Sequence, residues 1–339
     1  MLACVVHETR RVFVEDREPP SCPPDHALVA IGAAGICGTD VHIFDGTIPV
    51  DLPRVPGHDC AGVLVEDAGT LQQGARVLIR PSFPCRRCER CLSGAMDECP
   101  NKKLIGLHLD GAMQGMLAVP MVNLLPLPDD VTLVEAANLE PFTVALNMVN
   151  RLGLTSDDRV VVLGQGPIGL ALTQLLRPKG CRILATDVRN SRLLLAEEYG
   201  AKQCVNARTS DVGEEVDAFT NGAGANAVIE TTGVPAVART LLSLVGKGGQ
   251  VGLIGYRPDI GTLDIAGLIM KALTVVAVGG NGGRGRYEEA LQLLRASMIS
   301  LRGITTHTFA AERAEEAFEL AARGEEGVGR ITLTFEGRA

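Results

Sequence analysis

The rhythm of hydrophobic positions changes near residue 148 and divides the chain into two textures. Up to about residue 80 the apolar runs are short and β-rich, and Gly and Pro punctuate them. Segments 27–32, 61–66 and 75–80 read as strands of a folded-over β domain rather than as alternating β/α units. Beyond 148, the short apolar runs 159–163, 182–187, 227–231 and 250–255 are separated mostly by helix-like stretches. That alternation predicts an α/β fold with a doubly wound parallel sheet, whose last strand is 273–278. The tail predicts helices over 287–296 and near 311–323 and a strand near 330–335, and it is read as returning to the first domain. The expected organisation is thus a first domain over 1–147 with a Cys- and Arg-rich loop at 81–105, a second over 148–279, and the return over 280–339.

Composition narrows the class. A chain of 339 residues is long for one domain and comfortable for two, and 46% hydrophobic against 21% charged residues excludes disorder. Aromatics are only 3%, with no Trp, while Gly reaches 39, which suits a core of packed parallel strands and helices. A net charge of -8 argues against nucleic acid or an anionic membrane as partner. The apolar run after Met1 is too short for a signal peptide, and no segment approaches the roughly 18 apolar residues of a span. The expected compartment is the cytoplasm, where thiols stay reduced, so the ten cysteines need a role other than disulfides.

Cys85, Cys88, Cys91 and Cys99 are spaced C-x2-C-x2-C-x7-C. Two-residue gaps let a tight turn aim successive thiolates at one tetrahedral centre, as structural zinc requires. Four thiolates leave a formal charge of about −2 on the site, and Arg86, Arg87, Arg90, Lys102 and Lys103 lie close enough in sequence to offset it. An iron–sulfur cluster is the alternative occupant, and four unrelated buried thiols the bland one.

Segment 159–169 reads RVVVLGQGPIG, a β-branched strand leading into Gly164-x-Gly166-x-x-Gly169, with Pro167 and Ile168 inside the turn. The first Gly permits the tight turn, the second the approach of a pyrophosphate, and the third close helix–strand packing. The next strand ends in Asp187, whose carboxylate suits the ribose hydroxyls and repels a 2′-phosphate. NAD is therefore expected over NADP, with Arg189 as the residue that could accommodate the phosphate instead.

Three further islands carry chemistry. Segment 35–46, GICGTDVHIFDG, holds Cys37, Thr39, Asp40 and His42; 55–69, VPGHDCAGVLVEDAG, holds His58 and Asp59; 138–146, NLEPFTVAL, holds Glu140 before a Pro. Together with the Cys loop and the glycine turn, these motifs resemble the zinc-containing medium-chain dehydrogenases over nearly the whole chain. The resemblance implies a GroES-like catalytic domain beside a Rossmann domain, two zinc ions per chain, and a homodimer or homotetramer. It implies a catalytic zinc on Cys37 and His58 with carboxylate help, besides the structural zinc on the four-cysteine loop. The family usually has Glu where Asp59 stands. Asp is one methylene shorter, so Glu140 becomes the favoured third ligand. It further implies that a substrate hydroxyl gives its proton to Thr39, then through the nicotinamide ribose to His42 and solvent. Asp40 is read as orienting its neighbours.

The pattern looks closest to the polyol and threonine dehydrogenase branch, so the expected substrate is a small hydroxylated molecule with a secondary alcohol. Polyol members often carry Phe-Arg-Tyr after the last Rossmann strand, where this chain has Val278-Gly279-Gly280. That departure removes a polar wall, and the glycines up to Gly285, with Asn281 as a hydrogen-bond partner, leave room for a larger or cyclic polyhydroxylated substrate. The alternatives are a threonine-type amino-alcohol enzyme, a zinc-free reductase of the superfamily, and a zinc- and nucleotide-binding protein without turnover.

Overall fold

The computed structural model describes residues 1–280, 283 and 285–335. Asn281 lies outside the described residues. The chain divides into two compact units, one of Met1–Glu140, Gly283–Leu291 and the segment from Thr305 onward, the other of Pro141–Gly282 and Gln292–Ile304. The division falls at Glu140, the first residue of the helix Glu140–Leu152.

The first unit is built on a seven-stranded sheet. Its longest member, His26–Ile36, pairs antiparallel with Asp59–Leu64 on one side; on the other its first half pairs with Met116–Pro120 and its second half with Arg330–Thr334. A register shift between Ile31 and Ala33 marks the change of partner. Gly62 lets the strands close there: a Cβ on it would stand 2.2 Å from the Ala30 carbonyl oxygen. Arg76–Ile79 and Leu124–Pro126 extend the sheet on one flank and Thr305–Ala310 on the other. Val29, Ile31, Leu64, Ile79, Phe318 and Leu333 belong to one buried cluster, which the helix Ala314–Arg323 helps to cover. A separate hairpin, Leu2–Glu8 with Arg11–Asp16, adds Leu2 to Val6 to that core.

The second unit is an all-parallel, six-stranded sheet in the order Gln203–Asn206, Arg182–Asp187, Arg159–Leu163, Ala225–Glu230, Val245–Leu253, Thr274–Ala277. Val160 to Leu163 and Val228 to Ile229 are all but inaccessible, the near-continuous apolar runs of strands covered on both faces. The strand order reverses between Arg159–Leu163 and Ala225–Glu230. The crevice at the carboxyl ends of such a pair is where open α/β sheets bind ligands. No helix among the described residues is long and apolar enough to cross a membrane.

Candidate active site

The sheet register assembles the first group of chemistry-bearing residues. Gly35 pairs with Asp59 at the end of the antiparallel ladder, so Cys37, just beyond one strand, and His58, just before the other, meet without long side chains. Ligand atoms of Cys37, His58 and Asp59 all lie within 4.8 Å of one another. Asp40 fixes the local backbone: one carboxylate oxygen accepts from the Cys37 N–H at 2.8 Å, the other from the Gly57 N–H at 2.9 Å. The latter oxygen is also 3.8 Å from His58 Nδ1, close enough for its charge to favour the protonated ring. The Thr39 hydroxyl is 4.0 Å from Cys37 Sγ. Three residues on, one helical turn along Gly38–Phe44, His42 keeps 26% of its side chain exposed and lies 3.7 Å from Asp45.

Asp59 has a partner that no motif announced. Arg330, on the strand Arg330–Thr334, is 3% exposed, and its Nη2 pairs with Asp59 Oδ2. The other Asp59 oxygen, Oδ1, is buried with no hydrogen-bond partner, as is His58 Nδ1. The only hint in the sequence is that Arg330 opens a short strand with no other charged residue. Glu140 heads the helix Glu140–Leu152 but falls outside the group gathered within 4.8 Å. It is near enough to feel the site: desolvation raises its carboxyl pKa, the His58 charge opposes that, and Asp40 adds to it.

The charges are strongly coupled. Burial would push the Cys37 thiol up, yet the adjacent His58 brings it below its ordinary value, helped by Arg330. Burial would lower His58, but the Cys37 and Asp40 charges outweigh it and raise the imidazole to about 9. A thiolate, an imidazole and a carboxylate, with a buried oxygen left unpartnered, form a donor set that fits zinc. Arg330 alters the formal charge of such a site: ion, Cys37, Asp59 and Arg330 sum to about +1, so Glu140 would bring it to neutrality.

The cysteine loop is the second cluster. Cys85, Cys88, Cys91 and Cys99 converge, with Sγ separations of 3.9 Å for Cys85–Cys91, 3.5 Å for Cys88–Cys91 and 3.8 Å for Cys88–Cys99. Tetrahedral thiolates about 2.3 Å from zinc stand about 3.8 Å apart, so the site fits one ion, whereas a multi-iron cluster would hold the sulfurs further apart. The Arg87 backbone N–H lowers the Cys85 thiol to about 6, while burial and the Cys88 sulfur raise that of Cys91 to about 12. Arg86 and Arg90 face Asp25 and Glu98 at 3.6 and 3.1 Å, so part of the local positive charge is answered by carboxylates.

The glycine turn sits at the strand-order reversal of the second unit. Gly164 adopts φ +93°, and a Cβ on Gly169 would stand 1.9 Å from the Gly164 carbonyl oxygen, so helix and strand touch there. Gly166 is the N-cap of Pro167–Leu176, with Pro167 at its first position and Ile168 next. Asp187 closes the next strand. Its Oδ1 accepts from the N–H groups of Val188 and Arg189 (2.8 and 3.0 Å), and its Oδ2 from that of Gln165 (2.7 Å). Arg189 stands at the N-cap position of the helix Asn190–Glu198 without a capping side-chain hydrogen bond. After the last strand, Val278 is buried and the Gly280 carbonyl accepts from Asn147 at 2.9 Å.

Comparison with known proteins agrees with both units. Residues 23–129 match the alcohol dehydrogenase GroES-like domain and residues 167–296 the zinc-binding dehydrogenase family. The chain is 32% identical to L-idonate 5-dehydrogenase of Vitis vinifera, over 90% of this chain and 87% of the relative. It is 29% identical to sorbitol dehydrogenase of Bacillus subtilis, over 95% and 93%. A crystal structure of an alcohol dehydrogenase from Escherichia coli CFT073 complexed with NADH superposes with a TM-score of 0.89 at 26% identity, covering 99% of both chains. With its GroES-like and Rossmann units, its thiolate–imidazole–carboxylate cluster and its four-cysteine loop, the chain belongs to the zinc-binding alcohol dehydrogenase family, in the branch of polyol and threonine dehydrogenases.

Proposed function

We propose that the protein oxidises a secondary alcohol of a polyol, sugar alcohol or cyclitol to a ketone, or reduces the ketone, with NAD(H) as the redox partner. The observation that carries this reading is the gathering of Cys37, His58 and Asp59 within 4.8 Å, with the Thr39 hydroxyl 4.0 Å from the thiol. Zinc bound there supplies Lewis acidity toward a hydroxyl group, and NAD supplies the hydride acceptor. Cys37 and His58 hold the ion with a carboxylate as third ligand, either Glu140 from the head of its helix or Asp59 through the Oδ1 that its pairing with Arg330 leaves unpartnered. Thr39 accepts the hydrogen bond of the substrate hydroxyl and releases its own hydroxyl proton as it takes the substrate's, and His42, in part exposed, exchanges a proton with water. A zinc held by Cys85, Cys88, Cys91 and Cys99 would have no open position and would serve to hold the loop.

The substrate class follows from the relatives and from the sequence after the last strand together. Sorbitol and L-idonate, named for two relatives, both offer a secondary hydroxyl among several. Val278-Gly279-Gly280 sets no charged side chain after the last strand, which favours a bulkier or cyclic polyhydroxylated substrate. Gly164, Gly166, Pro167, Ile168, Gly169, Asp187 and Arg189 bind the dinucleotide. We place the enzyme in the cytoplasm as a homodimer or homotetramer.

The test is zinc content of chelator-washed protein together with NADH formation on polyols, cyclitols and amino alcohols. Nearly two zinc ions per chain and turnover of one secondary alcohol are expected. Turnover confined to amino alcohols moves the assignment to the threonine type, and one zinc with no turnover removes the catalytic reading.

A further inference from the structure

The last strand of the second unit runs out into glycines, and the helix Glu140–Leu152 holds that end. The helix itself is fixed on the neighbouring strand Val245–Leu253. A Cβ on Gly252 would stand 3.0 Å from Met148 Sδ, and the Gln250 side-chain amide donates to the Leu152 carbonyl at 3.0 Å. From that helix Asn147 and Arg151, one turn apart and so on one face, reach the end of Thr274–Ala277. Arg151 Nη1 donates to the Ala277 carbonyl at 2.7 Å, and Asn147 Nδ2 to the Gly280 carbonyl at 2.9 Å. All these residues belong to the second unit.

The backbone alone would not fix this segment. The Val278 N–H still donates to the Leu253 carbonyl at 2.9 Å, in the manner of the ladder. Beyond it, nothing among the described residues lies within 4 Å of where a Cβ on Gly279 or Gly280 would stand, and Gly280 adopts φ +143°. Consecutive glycines have the widest choice of backbone conformations, so the course of 278–280 is set by whatever grips its carbonyls. A carbonyl only accepts, so the Asn147 amide must present its nitrogen there. Asn147 is half-buried, which shields the bond from competing water.

The place bears on the chemistry. On the reading of this unit as a nicotinamide-dinucleotide site, the ligand lies across the strand-order reversal with one mononucleotide half on each side. The glycine turn and Asp187 follow Arg159–Leu163 and Arg182–Asp187, on the adenosine side. The nicotinamide half then falls to the side of Ala225–Glu230, Val245–Leu253 and Thr274–Ala277, and Val278–Gly280 leaves the carboxyl end of the outermost of these.

We propose that Asn147, assisted by Arg151, is a positioning residue for the nicotinamide. By gripping the Gly280 carbonyl it turns a glycine run into a fixed backbone wall for the ring, and it acts through that backbone rather than by touching the ligand. The proposal rests on the dinucleotide reading and deepens it.

Calorimetric titration of the zinc-loaded protein with NADH and with ADP-ribose, which lacks only the nicotinamide, tests it. Wild-type protein is expected to bind NADH at least about tenfold more tightly than ADP-ribose, and a smaller margin overturns the proposal. In Asn147→Ala, NADH affinity should fall at least about fivefold while ADP-ribose affinity changes less than about twofold. Equal losses overturn the proposal by making Asn147 a general support of the fold, and so does the absence of any loss. Asn147→Asp keeps the shape but cannot donate, and should lose NADH at least as severely; wild-type discrimination in that variant overturns the role of the donor. Arg151→Ala, at an exposed position, serves where Asn147→Ala fails to fold. A selective loss of NADH of at least about twofold is expected there, and none overturns the proposal. Wild-type protein that binds neither ligand overturns the dinucleotide reading itself, a result distinct from equal losses in the variants.

Discussion

Arg330 reaches Asp59 across Gly35, which stands between them on the middle strand of three. The register sets Gly35 opposite Asp59 on one side and opposite Thr332, two residues from Arg330, on the other. A Cβ on Gly35 would meet Arg330 Nε at 2.9 Å, Nη2 at 3.0 Å and the Ala137 carbonyl at 3.2 Å. Gly35→Ala should therefore dislodge the guanidinium, lower stability by about 1–3 kcal/mol and reduce catalytic zinc occupancy. Urea unfolding and zinc analysis check this, and an alanine variant with unchanged midpoint and metal content would show that the passage is not needed.

Arg330→Met should cost more. It leaves Asp59 as an uncompensated buried carboxylate, for which about 3–5 kcal/mol is expected. Arg330→Met combined with Asp59→Asn should recover much of the loss, because the charge goes with its partner. A double-mutant cycle on unfolding free energies reads the coupling, and additive losses would refute it.

Cys37→Ser should remove turnover and one zinc per chain while NADH binding persists, because the glycine turn and the four-cysteine loop draw on other residues. Near-normal turnover in that variant would exclude Cys37 as a ligand of the catalytic ion.

Gly169→Ala tests the nucleotide turn. Its methyl would stand 1.9 Å from the Gly164 carbonyl oxygen, so strand and helix must part. NADH affinity should fall by at least about tenfold, with destabilisation of more than about 1 kcal/mol. Calorimetric titration with NADH measures it, and wild-type affinity would place the dinucleotide elsewhere.

A pH effect is expected on the alkaline side from Cys4. Burial, with a smaller contribution from Glu312, raises its thiol from 9.0 to about 12. The folded state then holds a proton that the unfolded state releases, so stability falls as pH rises above 9, by at most about 1.4 kcal/mol per pH unit up to about 12. Below 9 the group contributes no slope. Cys4→Ala should flatten the urea midpoint between pH 9 and 11 relative to wild type, and parallel curves would rule the thiol out.

The parts of the fold legible in the sequence are those whose signals are local. The strands at 159–163 and 182–187 announce themselves as unbroken apolar runs, and the glycine turn and cysteine loop carry their geometry in short spacings. Gln203–Asn206 escapes notice because it is an edge strand in which only Val205 is buried. Leu2–Glu8 escapes because its five-residue apolar run stands alone at the start of the sequence, outside the β/α alternation that marks the later strands. Cys37, His58 and Asp59 stand out beside glycines and polar neighbours, whereas Arg330 does not. Its meaning lies in a carboxylate 271 positions away, and no spacing rule spans that distance. The charge estimate for the metal site shifts by one unit once that residue is counted.

The same separation orders events during synthesis. Asp59 emerges from the ribosome with its flanking strands, but Arg330 follows 271 residues later, about 15–55 s at ordinary elongation rates. Until then the strand Arg330–Thr334 is missing from its place beside Ala33–Ile36, and the carboxylate next to His58 must stay hydrated or protonated. The nascent first unit therefore carries an open seam beside Cys37 and His58 until the strand Arg330–Thr334 arrives to close it.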